Sequence, residues 1–202
     1  MPSTQTVAPS TEPSALTKLI EAASASGNPV EATTIQILHN LQQQHLWTNV
    51  QIHHIAAPET SPETPFVPLL ISGIPPNRVY THPDEQLYML EKGIREEDLR
   101  PERLFVIPTA QSQSWSLRRM ASAFDAMSGI EVVEDEETGS ENVDMGKKKI
   151  LDEYYEKRKE AISTKEWGST HMLLATVDKV MGGDGTVVYY VVQEGEVKPR
   201  QN

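Results

Sequence analysis

An α/β fold, a mixed β-sheet flanked by helices, is predicted by the way two patterns alternate along the chain. Runs of β-branched and aromatic residues at 172–177 and 186–192 have the composition of packed strands. Amphipathic repeats at 29–46 and 114–127 have the spacing of helices. Shorter apolar runs at 50–55, 66–74 and 104–107 fall between them. The resulting order is helix, strands, helix, strand, helix, insertion and hairpin, which suits one sheet covered by helices.

Length and charge limit what such a domain does. The 202 residues allow one domain of ordinary size plus tails. The net charge of −11 is concentrated: Glu131, Glu134, Asp135, Glu136, Glu137, Glu141 and Asp144 supply seven acids, and without them the balance is −4. Bulk-charge binding of RNA or DNA is therefore excluded, because neutralising phosphates takes clustered Lys and Arg. With no cysteine there is no disulfide or thiolate metal site. No run approaches the ~18 apolar residues of a membrane span, and the start lacks a secretory signal. A soluble, intracellular protein without membrane insertion is expected.

The opening MPSTQTVAPSTEPSA buries little, and a disordered leader is expected over 1–27, ahead of one domain at 28–200. Asn28-Pro29-Val30-Glu31 resembles a capping box with Pro at the first helical position. It opens a helix with Ile35, Leu38, Leu41, His45 and Leu46 along one side. His39 and His45 are six apart, whereas helical ligand pairs sit three or four apart, so both read as surface or boundary residues. Trp47–Ala57 alternates at Val50, Ile52 and Ile55, a strand with an irregularity at its His pair. A regular strand sends His53 and His54 to opposite faces, which argues against joint ligation. Phe66–Ile74 is a second strand, which Pro68 weakens or places at an edge. Pro75-Pro76-Asn77 leads into an extended Arg78-Val79-Tyr80.

Thr81-His82-Pro83-Asp84 opens a short helix through Leu87 and Leu90, closed by Gly93. Leu104–Ile107 is a brief strand bounded by Pro101 and Pro108. Leu117, Met120, Ala121, Phe124 and Met127 form the stripe of an amphipathic helix that Gly129 stops. Arg118 and Arg119 on its flank read as solvated or carboxylate-paired. The acidic run 131–144, taken to 146, reads as a disordered insertion. Lys147–Ile162 is a charged helix with a sparse stripe of Ile150, Tyr154 and Ile162. Asp152, Glu153, Glu156 and Glu160 balance its bases, so it reads as solvated. After Trp167-Gly168 comes an antiparallel hairpin whose turn, 178–185, holds three glycines. Its second strand is apolar on both faces. Val187, Tyr189 and Val191 point one way, and Val188, Tyr190 and Val192 the other. Such a strand needs cover on both sides, partly from its own fold and partly from a second protein.

No catalytic constellation stands on spacing alone: dinucleotide, Walker, nucleophile-elbow and His-Glu-x-x-His patterns are all missing. A Tyr, His171 and Lys179 have the residue types for metal-independent RNA cleavage by a self-sufficient ribonuclease. A half-buried sheet histidine is the simpler reading of His171. No metal site, catalytic residue or cofactor is assigned.

Leu173-Leu174-Ala175-Thr176-Val177, then Gly183-Asp184-Gly185 and Thr186-Val187-Val188-Tyr189-Tyr190, resemble a known family. Gly195-Glu196-Val197-Lys198-Pro199-Arg200 and Trp115-Ser116-Leu117-Arg118-Arg119-Met120 match it as well. The chain is similar to the small, non-catalytic Sen-fifteen-type subunit of the eukaryotic tRNA-splicing endonuclease, in a fungal form. The resemblance implies a fold like the C-terminal domain of tRNA-intron endonucleases and membership of a heterotetramer that excises introns from precursor tRNA. It implies pairing with a catalytic, Sen-thirty-four-type subunit through the C-terminal strand, with two further subunits present and the tRNA met only indirectly. The expected interface is Thr186, Val187, Val188, Tyr189, Tyr190, Val191 and Val192. Asp184 is the acid expected to reach a catalytic subunit across the tetramer. Lys179 sits about where catalytic members carry a lysine, but without matching Tyr and His partners no catalysis is carried over. The implied compartment is the nucleus, the alternative being the cytosolic face of mitochondria. A third reading is an adaptor of nuclease-like fold with no RNA role.

Overall fold

A computed structural model describes residues 15–25, 29–54, 69–109, 113–130, 145–178 and 186–195. Among them the architecture is α/β: one five-stranded mixed sheet and five helices. The strands β1 (Thr48–His54), β2 (Leu69–Ile74), β3 (Leu104–Thr109), β4 (His171–Asp178) and β5 (Thr186–Gln193) lie side by side in chain order. Every neighbouring pair is antiparallel except the parallel pair β3–β4. The β3-to-β4 crossover contains the helices α4 (Leu117–Ser128) and α5 (Met145–Thr164).

Strand alternation divides the core into two layers. On one face, Ile71, Leu104, Val106, Leu173, Ala175 and Val177 meet Ile37 and Leu41 of α2 (Pro29–Gln43). On the other, Leu70, Phe105, Ile107 and Met172 meet Ala123, Phe124 and Met127 of α4. A third cluster, around Met89, Leu99, Tyr154, Ala161 and Trp167, packs α5 against α3 (Pro83–Lys92). Helix α3 starts as its sequence suggests: Pro83 follows the N-cap His82, and Gly93 ends it with φ 67°.

Several expectations are corrected. Ala15–Ala25, inside the stretch 1–27 read as a leader, forms a helix, α1, that contacts α2. Its sequence, ALTKLIEAASA, is rich in good helix formers. The seam of α2 is Ala32, Thr33, Thr34, Ile37, Asn40 and Leu41, while Leu46 lies past the helix end, exposed, with φ 55°. In α4 the expected stripe holds at Met120, Phe124 and Met127, joined by the buried Ala123, while Ala121 is exposed and Leu117 is 92% exposed. The irregularity in β1 lies between Thr48 and Gln51, where Asn49 has φ 48°, rather than at the His pair. Strand β2 is internal, and it begins after Pro68, so that proline interrupts no described ladder. Strand β3 runs through Pro108, whose Cα partner is Ala175. The β2 ladder has already ended at Val106, so the missing N–H breaks none of its rungs. Met145 and Gly146, assigned to the insertion, begin α5. The rest of that insertion and the 178–185 turn beyond Asp178 lie outside the described residues.

The two sheet edges differ. At β1 the bulge at Asn49 bends the strand, and Arg103 donates to the Asn49 carbonyl (2.9 Å). Gly73 on β2 lets Trp47 and Val50 close over it: a Cβ there would sit 3.0 Å from the Trp47 ring and 3.1 Å from Val50. Among the described residues, the β5 edge shows no such bulge or side-chain contact.

Candidate partner interface

The phase of the β4–β5 ladder shows which backbone groups of β5 are free. Glu194 N–H donates to the Thr170 carbonyl (2.8 Å), which makes that facing pair a hydrogen-bonded one. Bonded and non-bonded pairs alternate in an antiparallel ladder. By the observed register, residues 186, 188, 190 and 192 therefore bond inward to β4. The N–H and C=O groups of Val187, Tyr189, Val191 and Gln193 point outward, with no backbone partner among the described residues. From Thr186 to Val192 this edge carries no charge, no proline and no bulge. Natural sheets usually guard such an edge.

The side chains of β5 divide as a half-covered strand should. Val187 and Tyr189 pack on the α2 layer and Val192 on the α4 layer. Tyr190 is 55% exposed and Val191 41%. Val188 is half-buried and Thr186 exposed. Asp184, the candidate inserted acid, lies outside the described residues. The Tyr189 hydroxyl donates to Asn40 Oδ1 on α2 (2.6 Å), and the His45 ring meets the Tyr189 ring edge-on at 5.4 Å. Burial pushes the Tyr189 phenol well above its usual pKa, so it remains a donor.

The structure does not bring the ribonuclease residues together. His171 opens β4 and Asp178 closes it, seven residues or roughly 23 Å along the strand. Lys179 follows Asp178 and lies outside the described residues. His171 instead faces a cavity of about 570 Å³ at the other end of the sheet, with the Tyr80 ring 5.4 Å away. That cavity is neutralised from within. Glu85 accepts from Arg78 (3.0 Å) and the Tyr154 hydroxyl (2.5 Å) and forms an ion pair with Arg158 Nε (3.0 Å). Glu102 accepts from Arg78 Nη2 (2.8 Å) and from both terminal nitrogens of Arg158. Two arginines matched by two carboxylates leave little net charge to stabilise a phosphorane-like anion. No group of three metal-ligating side chains occurs among the described residues.

Sequence reading missed this network and the Asn40–Tyr189 contact. Their partners are 7 to 149 residues apart, and nothing local marks them. Of the sparse stripe expected on α5, Tyr154 is fully buried while Ile150 and Ile162 are exposed. Arg118 is exposed; Arg119 donates to the Ser114 carbonyl (2.6 Å) and lies over the Trp115 ring.

Two histidines make stability depend on pH. Burial lowers the pKa of His171, and burial with the nearby Arg103 charge lowers that of His53. The unfolded chain, with imidazoles near ~6.5, then binds protons more readily than the fold. Stability is full above that value and falls as pH drops through the lower folded pKa values. Urea midpoints should decrease from pH 7.5 to pH 5, and His171→Gln should flatten the decrease. An unchanged slope in that variant would remove His171 from the account.

The model of the family described as "Sen15 protein" matches residues 36–139 and 145–202. The chain is 33% identical over 180 residues to the Neurospora crassa protein named "Probable tRNA-splicing endonuclease subunit tsp-1". That alignment spans 86% of this chain and 67% of the relative.

Proposed function

The chain belongs to the Sen15 family, and from that premise we propose that it is a structural, non-catalytic subunit of a tRNA-splicing endonuclease. In this reading it holds a catalytic subunit along the free edge of β5 and contributes to excising introns from precursor tRNA without cutting them. One observation carries the reading: a run of outward backbone groups on β5 that no described residue guards, flanked by the exposed Tyr190 and Val191. Strand addition to such an edge supplies main-chain hydrogen bonds for affinity and side-chain pockets for specificity. Burial of ~1,600 Å² in total makes a stable interface of standard size. The name of the Neurospora relative supports the complex. The separation of His171 from the end of β4 supports a non-catalytic role.

The test is co-expression with the Sen-thirty-four-type subunit and the other two members of the complex. Tyr190→Asp should lower affinity about 30-fold, the effect of losing an interface hot spot of ~2 kcal/mol. The purified chain alone should leave intron-containing precursor tRNA intact, and the four-subunit assembly should cut it. Cleavage by the chain alone would favour the ribonuclease reading. Capture of Tyr190→Asp at wild-type strength would move the interface elsewhere. The proposal includes a nuclear location, which a fluorescent tag in living cells would contradict by marking mitochondria instead.

A further inference from the structure

We propose that Asn40 is a positioning residue for the docking strand, acting through Tyr189 to hold β5 in the geometry a partner strand requires. The inference rests on the β5-edge reading above. Apart from the β4 ladder, β5 is tied to the body by few groups: Val187 and Tyr189 on the α2 layer, and Val192 on the other. Of these ties, Tyr189–Asn40 is directional, a hydrogen bond of 2.6 Å from the edge strand to a helix. Asn40 is oriented for it. Its Nδ2 donates to Gln44 Oε1 one helical turn on (2.5 Å), which turns Oδ1 toward the tyrosine. Asn40 is 8% exposed, so its carbonyl oxygen has little water to replace the phenol if that bond is lost. His45, two residues past the end of α2, meets the ring from its edge.

The bond is placed where it matters most for pairing. Tyr189 is one of the four residues whose N–H and C=O face outward, and it lies between Val187 and Val191. Fixing its side chain on α2 fixes the tilt of its peptide groups, and so the line along which a partner's backbone must run. An edge strand fastened on one side only frays at low cost. A partner then meets an ensemble, and its apparent affinity falls by the fraction of competent strand. The clamp keeps that fraction near one, which is preorganisation for binding rather than contact with the partner.

Two variants test this in the full chain. Tyr189→Phe deletes only the hydroxyl and keeps the ring against His45; Asn40→Leu deletes the acceptor. Each should speed hydrogen exchange at the inward-bonded amides of Val188, Tyr190 and Val192 in the free protein. Each should also weaken capture of the catalytic partner about three- to tenfold, the range of one hydrogen bond. The double variant should lose no more than either single one, because both act through one bond. Unchanged exchange, unchanged affinity or additive losses would each overturn the proposal. The underlying edge reading has its own readout: in wild-type protein, partner binding should protect the amides of Val187, Tyr189, Val191 and Gln193. If those stay unprotected, the edge reading fails. If they are protected while Tyr189→Phe binds as wild type does, only the role of Asn40 fails.

Discussion

Val191→Pro is expected to weaken capture of the catalytic partner by about 100-fold while leaving the isolated chain folded. The N–H of Val191 points away from β4, so its removal costs no bond within the sheet. Proline is tolerated in edge strands where its nitrogen faces solvent. Against a partner strand the same change deletes a donor at the centre of the edge and places a ring in the path of the incoming backbone. A penalty of ~3 kcal/mol, typical of proline in regular hydrogen-bonded structure, corresponds to the expected factor. Val192→Pro is the control, because its N–H bonds inward to Met172 and its loss should lower the melting temperature itself. Measuring affinity by titration and stability by thermal melting separates the two effects. If Val191→Pro bound its partner as tightly as the wild type, main-chain pairing at β5 would be wrong.

Glu85→Ala is expected to produce the largest loss of stability. The Glu85 side chain is 7% exposed and faces Arg78, itself 9% exposed, together with Arg158 and the fully buried Tyr154. Removing one partner from a buried ion pair leaves the others charged and uncompensated, a cost of about 3–5 kcal/mol. For a domain of this size that is roughly 6–20 °C in melting temperature. The damage should concentrate on α5, because the network joins α3, the 75–82 segment, the approach to β3 and α5. Removing the Lys92–Glu153 pair (2.7 Å) should shift the melting temperature far less, since both side chains are at least a third exposed and solvent screens their attraction. A melting shift for Glu85→Ala no larger than that of the exposed pair would show that the network contributes little.

What the chain reveals before folding, and what it conceals, follows from the range of the interactions. The hairpin was legible because β-branched density and a glycine-bearing turn are local signals, and β4 and β5 pair in the expected antiparallel sense. Helix α3 was legible from His82-Pro83 and Gly93. The stripe of α4 was legible at Met120, Phe124 and Met127 but not at its first turn. Leu117 fits the period, but it stands in the first helical turn, beside the N-cap Ser116, where the sheet no longer covers it. The α2 seam was misjudged because Thr33, Thr34 and Asn40 are polar, yet all three are buried. The stretch of α5 looked solvated because its acids and bases balance in sequence. In space Arg158 meets Glu85 and Glu102 rather than its helix neighbours. The candidate interface was readable as a strand apolar on both faces. Which of its backbone groups are free depends on ladder phase, which only the register with β4 supplies.

The contrast between the sheet's two margins limits how the chain assembles. A subunit receptive at both margins behaves like a bifunctional monomer in a condensation polymer, and raising its concentration lengthens the product without bound. Here the kink at Asn49, with the guanidinium of Arg103 seated on its carbonyl, interrupts the β1 side near its start. On the proposed reading, strand addition at β5 makes the chain monofunctional in that one kind of contact, a terminator in the polymer chemist's sense. A neighbour seated there would use up the strand-pairing capacity of that margin, so abundance would change how many such pairs form rather than how long they grow.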